Sequence, residues 1–267
     1  MSGINPIGST DYSWLFSTNT KKQDSLARLW NAYGDYQANA QSSLSGLSEI
    51  NSNLKSVLAS YDEAKNMFNL EFKENMSALS ESSKEIQKFS FSVPKEGAIT
   101  KTETTDENGV TSTKTTYSKD LQAALDVVND FVSNYNSSLK FFNDNASVSN
   151  RVTNLSTVFN DASYRASSFE AIGLTVNSGG LIEVNEDVLA NAIVENPDRV
   201  SGLLGKGGLA TKVDNNISYA NSQQDRLFPS AQKMLGNQLD TAAIYTGNAY
   251  RYMSSYASVG NLINMMF

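Results

Sequence analysis

The sequence predicts a mainly helical α+β protein. We expect an elongated helical bundle or coiled coil made by the N- and C-terminal helices, with a small β-hairpin and a ββαα unit between them. Near both ends of the chain, apolar residues recur at steps of three and four, as in helices that pack along a seam. A threonine-rich stretch around Asn108-Gly109 carries the turn signal of a hairpin. Residues 171–205 have, in order, the patterns of two strands and two helices.

The composition excludes several functional classes. The 267 residues carry a net charge of −7, which argues against nucleic acid as a partner and offers no basic stripe to an anionic membrane surface. No apolar run approaches the roughly 18 residues of a membrane span, so we expect no membrane insertion. Cysteine and histidine are absent, which excludes thiolate and imidazole metal sites and most nucleophile–base pairs. We therefore predict no cofactor, no metal and no catalytic residues.

The patterns divide the chain into five predicted segments. They are an irregular leader (1–20), an N-terminal helical segment (21–92), a polar β-hairpin (93–118), a helical and ββαα core (119–225) and a C-terminal heptad helix (226–267). In the leader, Pro6 and Gly8 oppose a helix. The apolar island Trp14-Leu15-Phe16 is expected to dock on the body of the protein, and the alternative is that a secretion partner binds it.

The N-terminal helical segment is predicted to form a packed α-hairpin. Its apolar residues follow helical spacing from Leu26 to Phe89, and the serine clusters Ser42-Ser43 and Ser80–Ser83 are the points where we expect it to break. From Phe89 to Val93 the pattern changes to period two, which predicts a short strand that ends at Pro94.

The hairpin is predicted from Ala98–Thr104 and Val110–Tyr117, joined by Asn108-Gly109. Its arms consist mainly of Thr, Lys and Glu, so it is either an exposed finger or a small sheet edge. Asp106 and Glu107 lack the spacing of acidic ligands in an EF-hand, and we interpret them as part of a plain turn.

The core is predicted to contain a helix over Asp120–Asn143, a helix over Val152–Phe169 and then the ββαα unit. The apolar set of the second helix includes Ala162 and Tyr164. The ββαα unit begins with a strand that contains Ile172, Leu174 and Val176, followed by a turn at Asn177–Gly180 and a strand at Leu181–Val184. The first helix is capped by Asn185 and has the apolar stripe Leu189, Ala192 and Ile193. The second helix has Pro197 at its first position.

Two more helices complete the prediction. Gly205–Gly208 separates the ββαα unit from a helix over Leu209–Asn221. Lys206 lies among these glycines, but the surrounding sequence does not have the full pattern of a phosphate-binding loop. Ser230 is a suitable cap for the last helix. An uncharged, aromatic seam runs along that helix, and we predict that it forms an oligomer or partner interface with Tyr245, Tyr252, Tyr256, Val259, Ile263, Met266 and Phe267. The seam could also pack on the N-terminal helices of its own chain, and both contacts can occur along different parts of its length.

Three motifs in one order resemble a known family. They are the helix pattern F-V-x-x-Y-N at Phe131–Asn136, the hairpin that begins I-G-x-T at Ile172–Thr175, and N-P-D-x-V-x-x-L-L at Asn196–Leu204. Together they resemble the C-terminal region of flagellar hook-associated protein 2, the filament-capping family, from about Ser118 to Phe267. Members of that family usually carry two larger β-rich domains between the terminal helices, where this chain has only the hairpin.

The resemblance implies a structural component of the bacterial flagellum that caps the filament or sits at the hook–filament junction and so supports motility. It implies a homo-oligomer held by coiled-coil contacts, with flagellin and other flagellar axial proteins as partners and room for an export chaperone. It also implies an extracellular location reached by export without a cleaved signal peptide.

Two other functions stay open at this point. A surface adhesin or binding module at the tip of an appendage would use the polar hairpin for cell adhesion. A glycoside hydrolase would need paired carboxylates, and Glu183, Glu186, Asp187 and Glu195 cluster in sequence. Carboxylates at a helix start explain most of that cluster, so we predict that the protein is not an enzyme.

Overall fold

The computed structural model describes residues 47–105 and 111–231, together with positions 28, 31, 32 and 233. In these ranges it confirms the predicted mainly helical α+β class, with two small antiparallel sheets of two strands each. The α-helices are α1 Leu47–Lys88, α2 Lys119–Asp144, α3 Asn150–Phe159, α4 Ala166–Glu170, α5 Glu186–Glu195, α6 Pro197–Leu204 and α7 Leu209–Leu227. The strands are β1 Ile99–Thr105, β2 Thr111–Tyr117, β3 Leu174–Val176 and β4 Ile182–Val184.

The chain forms two compact units. One is continuous in sequence, from Phe72 to Leu227, and is called the continuous unit below. The other combines Met1–Glu71 with Phe228–Phe267 and is called the split unit. The division of the chain into five segments stays a prediction.

Helix α1 carries the predicted seam into both units. In the split unit, the seam residues of α1 are buried at steps of three and four. Most of the seam residues of α1 in the continuous unit follow the same steps. The buried seam residues are Val57, Tyr61, Ala64 and Phe68 in the split unit and Phe72, Met76, Leu79 and Ile86 in the continuous unit. The alternating steps of three and four therefore identified the packed side of α1 correctly.

The predicted helix break at Ser80–Ser83 is wrong, because α1 continues through it. Ser82 and Ser83 are both buried in the seam. The Ser82 hydroxyl donates to the Leu79 carbonyl oxygen (3.3 Å), and the Ser83 hydroxyl donates to the Ala210 carbonyl oxygen of α7 (2.9 Å). A buried hydroxyl with a partner costs little, so serines can occupy a seam without ending the helix. Ser42-Ser43 lies outside the described residues.

The predicted strand at Phe89–Val93 is also wrong. The alternation is present, since Phe91 is buried between exposed neighbours, and its ring meets that of Phe89 edge-on with centroids 5.3 Å apart. In the described part of the chain, however, these residues pair with no strand. Side-chain alternation requires only an extended backbone, whereas a strand also requires a hydrogen-bonded neighbour.

The predicted hairpin is confirmed as the antiparallel pair β1–β2. Ile99 lies opposite Tyr117, and the register continues to Thr105 opposite Thr111. Lys101, Glu103 and most of the other described side chains of the ribbon are exposed. The loop with Asp106, Glu107 and Asn108-Gly109 lies outside the described residues.

The prediction for α2 is confirmed over its whole length. The Ser118 hydroxyl accepts the backbone N–H of Leu121 (3.3 Å), which satisfies one of the free donors at the helix start. All eight residues of the predicted apolar face are buried: Leu121, Ala124, Leu125, Val128, Phe131, Val132, Tyr135 and Leu139.

The single helix predicted over Val152–Phe169 is wrong. Helix α3 ends at Phe159, a 3-10 turn follows at Asp161–Arg165, and the short α4 comes next. Ala162 is buried as predicted, whereas Tyr164 is 81% exposed. Residues two positions apart lie on different sides of a helix, so Tyr164 does not share the buried side of Ala162.

The ββαα unit is confirmed. β3 and β4 pair antiparallel with Leu174 opposite Val184. In the turn, the Asn177 side-chain oxygen accepts the N–H groups of Gly179 (2.9 Å) and Leu181 (3.0 Å), and Gly180 has the positive φ of 82° that the turn requires. The two helices begin as predicted, α5 after its Asn185 cap and α6 with its proline at the first position. On α5 the stripe is Leu189, Ala190 and Ile193, since Ala192 is only half-buried.

Aromatic rings fill the centre of the continuous unit. Phe142 of α2 is fully buried, and its centroid lies 4.8 Å from that of Phe159, 5.3 Å from Phe141 and 6.3 Å from Phe72. Helix α7 extends beyond its predicted end at Asn221 to Leu227, and its residues Leu209, Val213 and Ile217 are buried as predicted. The core thus joins α1, α2, α3 and α7.

Candidate functional site

The predicted interface on the last helix lies entirely outside the described residues. This applies to all seven of its members: Tyr245, Tyr252, Tyr256, Val259, Ile263, Met266 and Phe267. Their role stays a prediction. The described residues do show how the C-terminal segment begins and how the motifs of the continuous unit are held.

In the split unit, the C-terminal segment begins against α1. The Phe228 ring lies 5.6 Å from the Tyr61 ring and 5.5 Å from the Phe68 ring. The Tyr61 hydroxyl donates to the Pro229 carbonyl oxygen (2.9 Å). The Ser230 hydroxyl accepts the N–H of Lys233 (3.3 Å), which is the geometry of the predicted cap. The first residues of this segment therefore pack on the N-terminal helix of their own chain.

Tyr61 gives this contact a dependence on pH. Burial, together with the nearby charge of Asp62, raises the pKa of Tyr61 from 10.0 to about 12. Because the folded-state pKa is the higher one, the stability that protonated Tyr61 contributes is complete below pH 10 and is lost as the pH rises towards 12. We expect the free energy of unfolding to fall over this range, and less steeply in the Tyr61→Phe variant.

Urea denaturation at several pH values measures this dependence. The Tyr219→Phe variant, which removes a tyrosine that is exposed on α7, is the matched control. An equally steep fall in the Tyr61→Phe variant and in the unmodified chain contradicts the assignment.

Residues of the F-V-x-x-Y-N motif in α2 bind the ββαα unit and the end of α3. Phe131, Val132 and Tyr135 are buried. The Tyr135 hydroxyl donates to the Phe159 carbonyl oxygen at the end of α3 (2.6 Å). Burial is the main cause that raises the pKa of Tyr135, so the phenol stays protonated and remains a donor. Tyr135 thus satisfies a carbonyl that α3 leaves free where it ends.

Asn136, the last residue of the motif, binds β4 through both ends of its amide. Its side-chain nitrogen donates to the Ile182 carbonyl oxygen (2.7 Å), and its side-chain oxygen accepts the Ile182 N–H (2.8 Å). This is the pair of bonds that a neighbouring strand would form, supplied here by one helical side chain. Sequence reasoning missed this role, and the signal for it is a polar residue directly after the buried Tyr135.

The carboxylates of the enzyme hypothesis serve the start of α5. Asp187 accepts the Tyr117 hydroxyl (2.8 Å), and Glu186 accepts the side-chain amide of Asn129 (3.0 Å). Burial, followed by the hydrogen bond to Asp187, raises the pKa of Tyr117 to about 12. Glu183 and Glu195 are exposed on β4 and at the end of α5. The two carboxylates at the start of α5 therefore bind the end of β2 and α2.

The described ranges contain no group of three acidic, cysteine or histidine residues that could hold a metal ion. An open groove of about 450 Å³ lies between α1 and α7 and is lined by Met76 and Ile217 together with the charged Lys73, Glu81 and Lys84. Within these same ranges, no helix combines the length and the apolar character that crossing a bilayer requires.

Comparison with known proteins finds a family that is similar to part of this chain. The family model of the flagellar hook-associated protein 2 C-terminus matches residues 145–256. No curated protein and no solved structure matches the chain. The matched family is one of structural flagellar proteins. The match begins at the end of α2 and includes the whole ββαα unit, α7 and much of the C-terminal segment. The predicted resemblance to the C-terminal region of flagellar hook-associated protein 2 is thereby confirmed for residues 145–256, which match that family's model.

Proposed function

We propose that this protein is a structural component of the bacterial flagellum that caps the filament or sits at the hook–filament junction and supports flagellin assembly. The observation that carries the proposal is the family match over residues 145–256, which includes the whole ββαα unit. The adhesin alternative has no comparable support.

The interior of the continuous unit suits a scaffold. Its core is filled by aromatic rings, and Tyr135 and Asn136 bind backbone groups at α3 and β4. Buried polar groups that are satisfied in this way fix one arrangement of the elements. We propose that this unit holds its shape while the C-terminal seam contacts other copies, flagellin and further axial proteins. In this proposal the protein acts outside the cell and reaches the flagellum by export without a cleaved signal peptide, with an export chaperone as a further partner.

A deletion strain tests the function. The measurement is the partition of flagellin between cell-attached filaments and the culture medium. We expect monomeric flagellin in the medium and short or absent filaments, restored when the gene is supplied again. Filaments of normal length and number in the deletion strain contradict a capping or junction role.

The predicted interface is tested by Tyr256→Asp combined with Ile263→Asp. A charge at two seam positions is costly to bury, so we expect assembly to be lost while the ββαα unit stays folded. Sedimentation velocity measures assembly, and amide hydrogen exchange over residues 171–205 measures the fold. The matched control is Tyr219→Asp, which places the same charge on an exposed tyrosine of α7. Oligomers that persist in the double variant overturn the interface assignment.

A further inference from the structure

The β1–β2 ribbon has two open edges. In the described part of the chain, each strand pairs only with the other. The Ser118 N–H donates to the Ala98 carbonyl oxygen (2.8 Å). This bond determines which residues of β1 direct their backbone groups towards β2 and which direct them outwards. It follows that the backbone groups of Ile99, Lys101 and Glu103 point away from β2. Open edges of this kind accept another strand, and a two-stranded ribbon gains stability from one.

The charges of β1 are self-complementary. Lys101 and Glu103 flank Thr102, lie on the same face of the strand and are exposed. Within the described residues, neither makes a hydrogen bond or an ion pair. If two copies of β1 pair antiparallel with Thr102 opposite Thr102, Lys101 of each copy lies opposite Glu103 of the other. Opposite charges that face each other across strands attract, and this register forms two such pairs.

The charges also select this register over its neighbours. If the centre of symmetry moves by one residue, to Lys101 or to Glu103, two like charges lie directly opposite each other, which is destabilising. In the register centred on Thr102, the outward backbone groups of Lys101 meet those of Glu103 from the second copy. The backbone hydrogen bonds and the charges therefore favour the same register.

The outer edge of β2 has different properties. Its only charged residue is Lys114, and the strand Thr111–Tyr117 contains no carboxylate. Pairing of β2 with another β2 forms no attractive charge pair, and in the register centred on Lys114 two lysines lie opposite each other.

We propose that β1 pairs with β1 of a second copy of this chain, in the antiparallel register centred on Thr102. The result is a four-stranded sheet that spans both copies, in the order β2–β1–β1–β2. This contact is isologous, because the same surface of each copy meets itself about a two-fold axis. It is separate from the predicted interface on the last helix and does not depend on the flagellar role.

Cross-linking through a single introduced thiol tests the pairing. The chain has no cysteine, so the Thr102→Cys variant of the full chain carries one thiol only. In the proposed register position 102 is a non-hydrogen-bonded pair, with Cα atoms about 4.5 Å apart, which suits a disulfide. We expect a covalent dimer under mild oxidation. The matched control is Thr116→Cys, because Thr116 is an exposed threonine of β2 that lies on the same face of the ribbon as Thr102. It is expected to cross-link much more slowly.

Charge variants in the Thr102→Cys background test the register. Glu103→Lys alone and Lys101→Glu alone each turn two attractive pairs into two repulsive ones, so we expect cross-linking about tenfold slower. The exchange of both charges restores attraction and should restore the rate. Lys114→Glu, on the other strand, should leave it unchanged. Equal rates for the Thr102→Cys and Thr116→Cys variants, no dimer in the former, or no recovery on charge exchange would overturn the proposal.

Discussion

Replacing Gly173 with alanine is expected to lower the free energy of unfolding of the continuous unit by about 3 kcal/mol or more. Gly173 has a φ of 86°, where an L-residue is strained. A Cβ at this position would lie 2.6 Å from the Leu189 backbone nitrogen and 2.9 Å from the Asn185 carbonyl oxygen. Both atoms belong to the start of α5 and its cap, which cannot move without breaking hydrogen bonds. We therefore expect a lower urea midpoint.

Gly202→Ala is the matched control for this variant. Gly202 lies within α6, and a Cβ there would have no heavy atom within 4 Å. Alanine is favoured over glycine in a helix by about 1 kcal/mol, so the control is expected to be slightly more stable than the unmodified chain. Similar midpoints for Gly173→Ala and Gly202→Ala would show that the close approach of Gly173 to the start of α5 does not require a glycine.

Replacing Asn136 with leucine is expected to cost about 2–4 kcal/mol, because it leaves both the N–H and the carbonyl oxygen of Ile182 without their partners. The two bonds, of 2.8 and 2.7 Å, bind β4 to α2. The size of the side chain barely changes, so the loss isolates the hydrogen bonds. Urea denaturation measures the stability, and hydrogen exchange at Ile182 should become much faster.

Asn134→Leu is the matched control on the same helix. Asn134 makes a local bond to Asp130 (3.1 Å) at the surface, and its loss is expected to cost no more than about 0.5 kcal/mol. Asn136→Asp adds a sharper test. A carboxylate can accept the Ile182 N–H but repels its carbonyl oxygen, whereas the protonated acid can donate to it. The loss of stability in this variant should therefore shrink as the pH falls. Equal losses for Asn134→Leu and Asn136→Leu contradict the assignment.

The sequence predicted the elements whose boundaries depend on local chemistry. Helix α2 follows from eight apolar residues at helical spacing and from the Ser118 cap. The turn after β3 follows from Asn177 and Gly180, and α5 follows from the Asn185 cap. In each case the residues that determine the element lie within it or within a few sequence positions of it.

Features that depend on distant residues were not predictable. Ser83 stays helical because its hydroxyl reaches a carbonyl 127 residues further along the chain. Helix α3 ends at a carbonyl that Tyr135 binds from α2. Asn136 could be identified as part of a family motif, but its double bond to Ile182 could not. Gly173 was interpreted as part of a strand, whereas its positive φ serves the contact with α5.

The split unit has a consequence for the order of folding. The hydrogen bond between Tyr61 and Pro229 spans 168 residues of sequence, and the residues between them include the whole continuous unit. In an unfolded chain, the entropic cost of closing such a loop grows with the logarithm of its length. Several contacts within the continuous unit close much shorter loops, such as the 24 residues between Tyr135 and Phe159 and the 46 between Asn136 and Ile182. We therefore expect the continuous unit to form in an early kinetic phase, and the contact between Tyr61 and Pro229 in a later one.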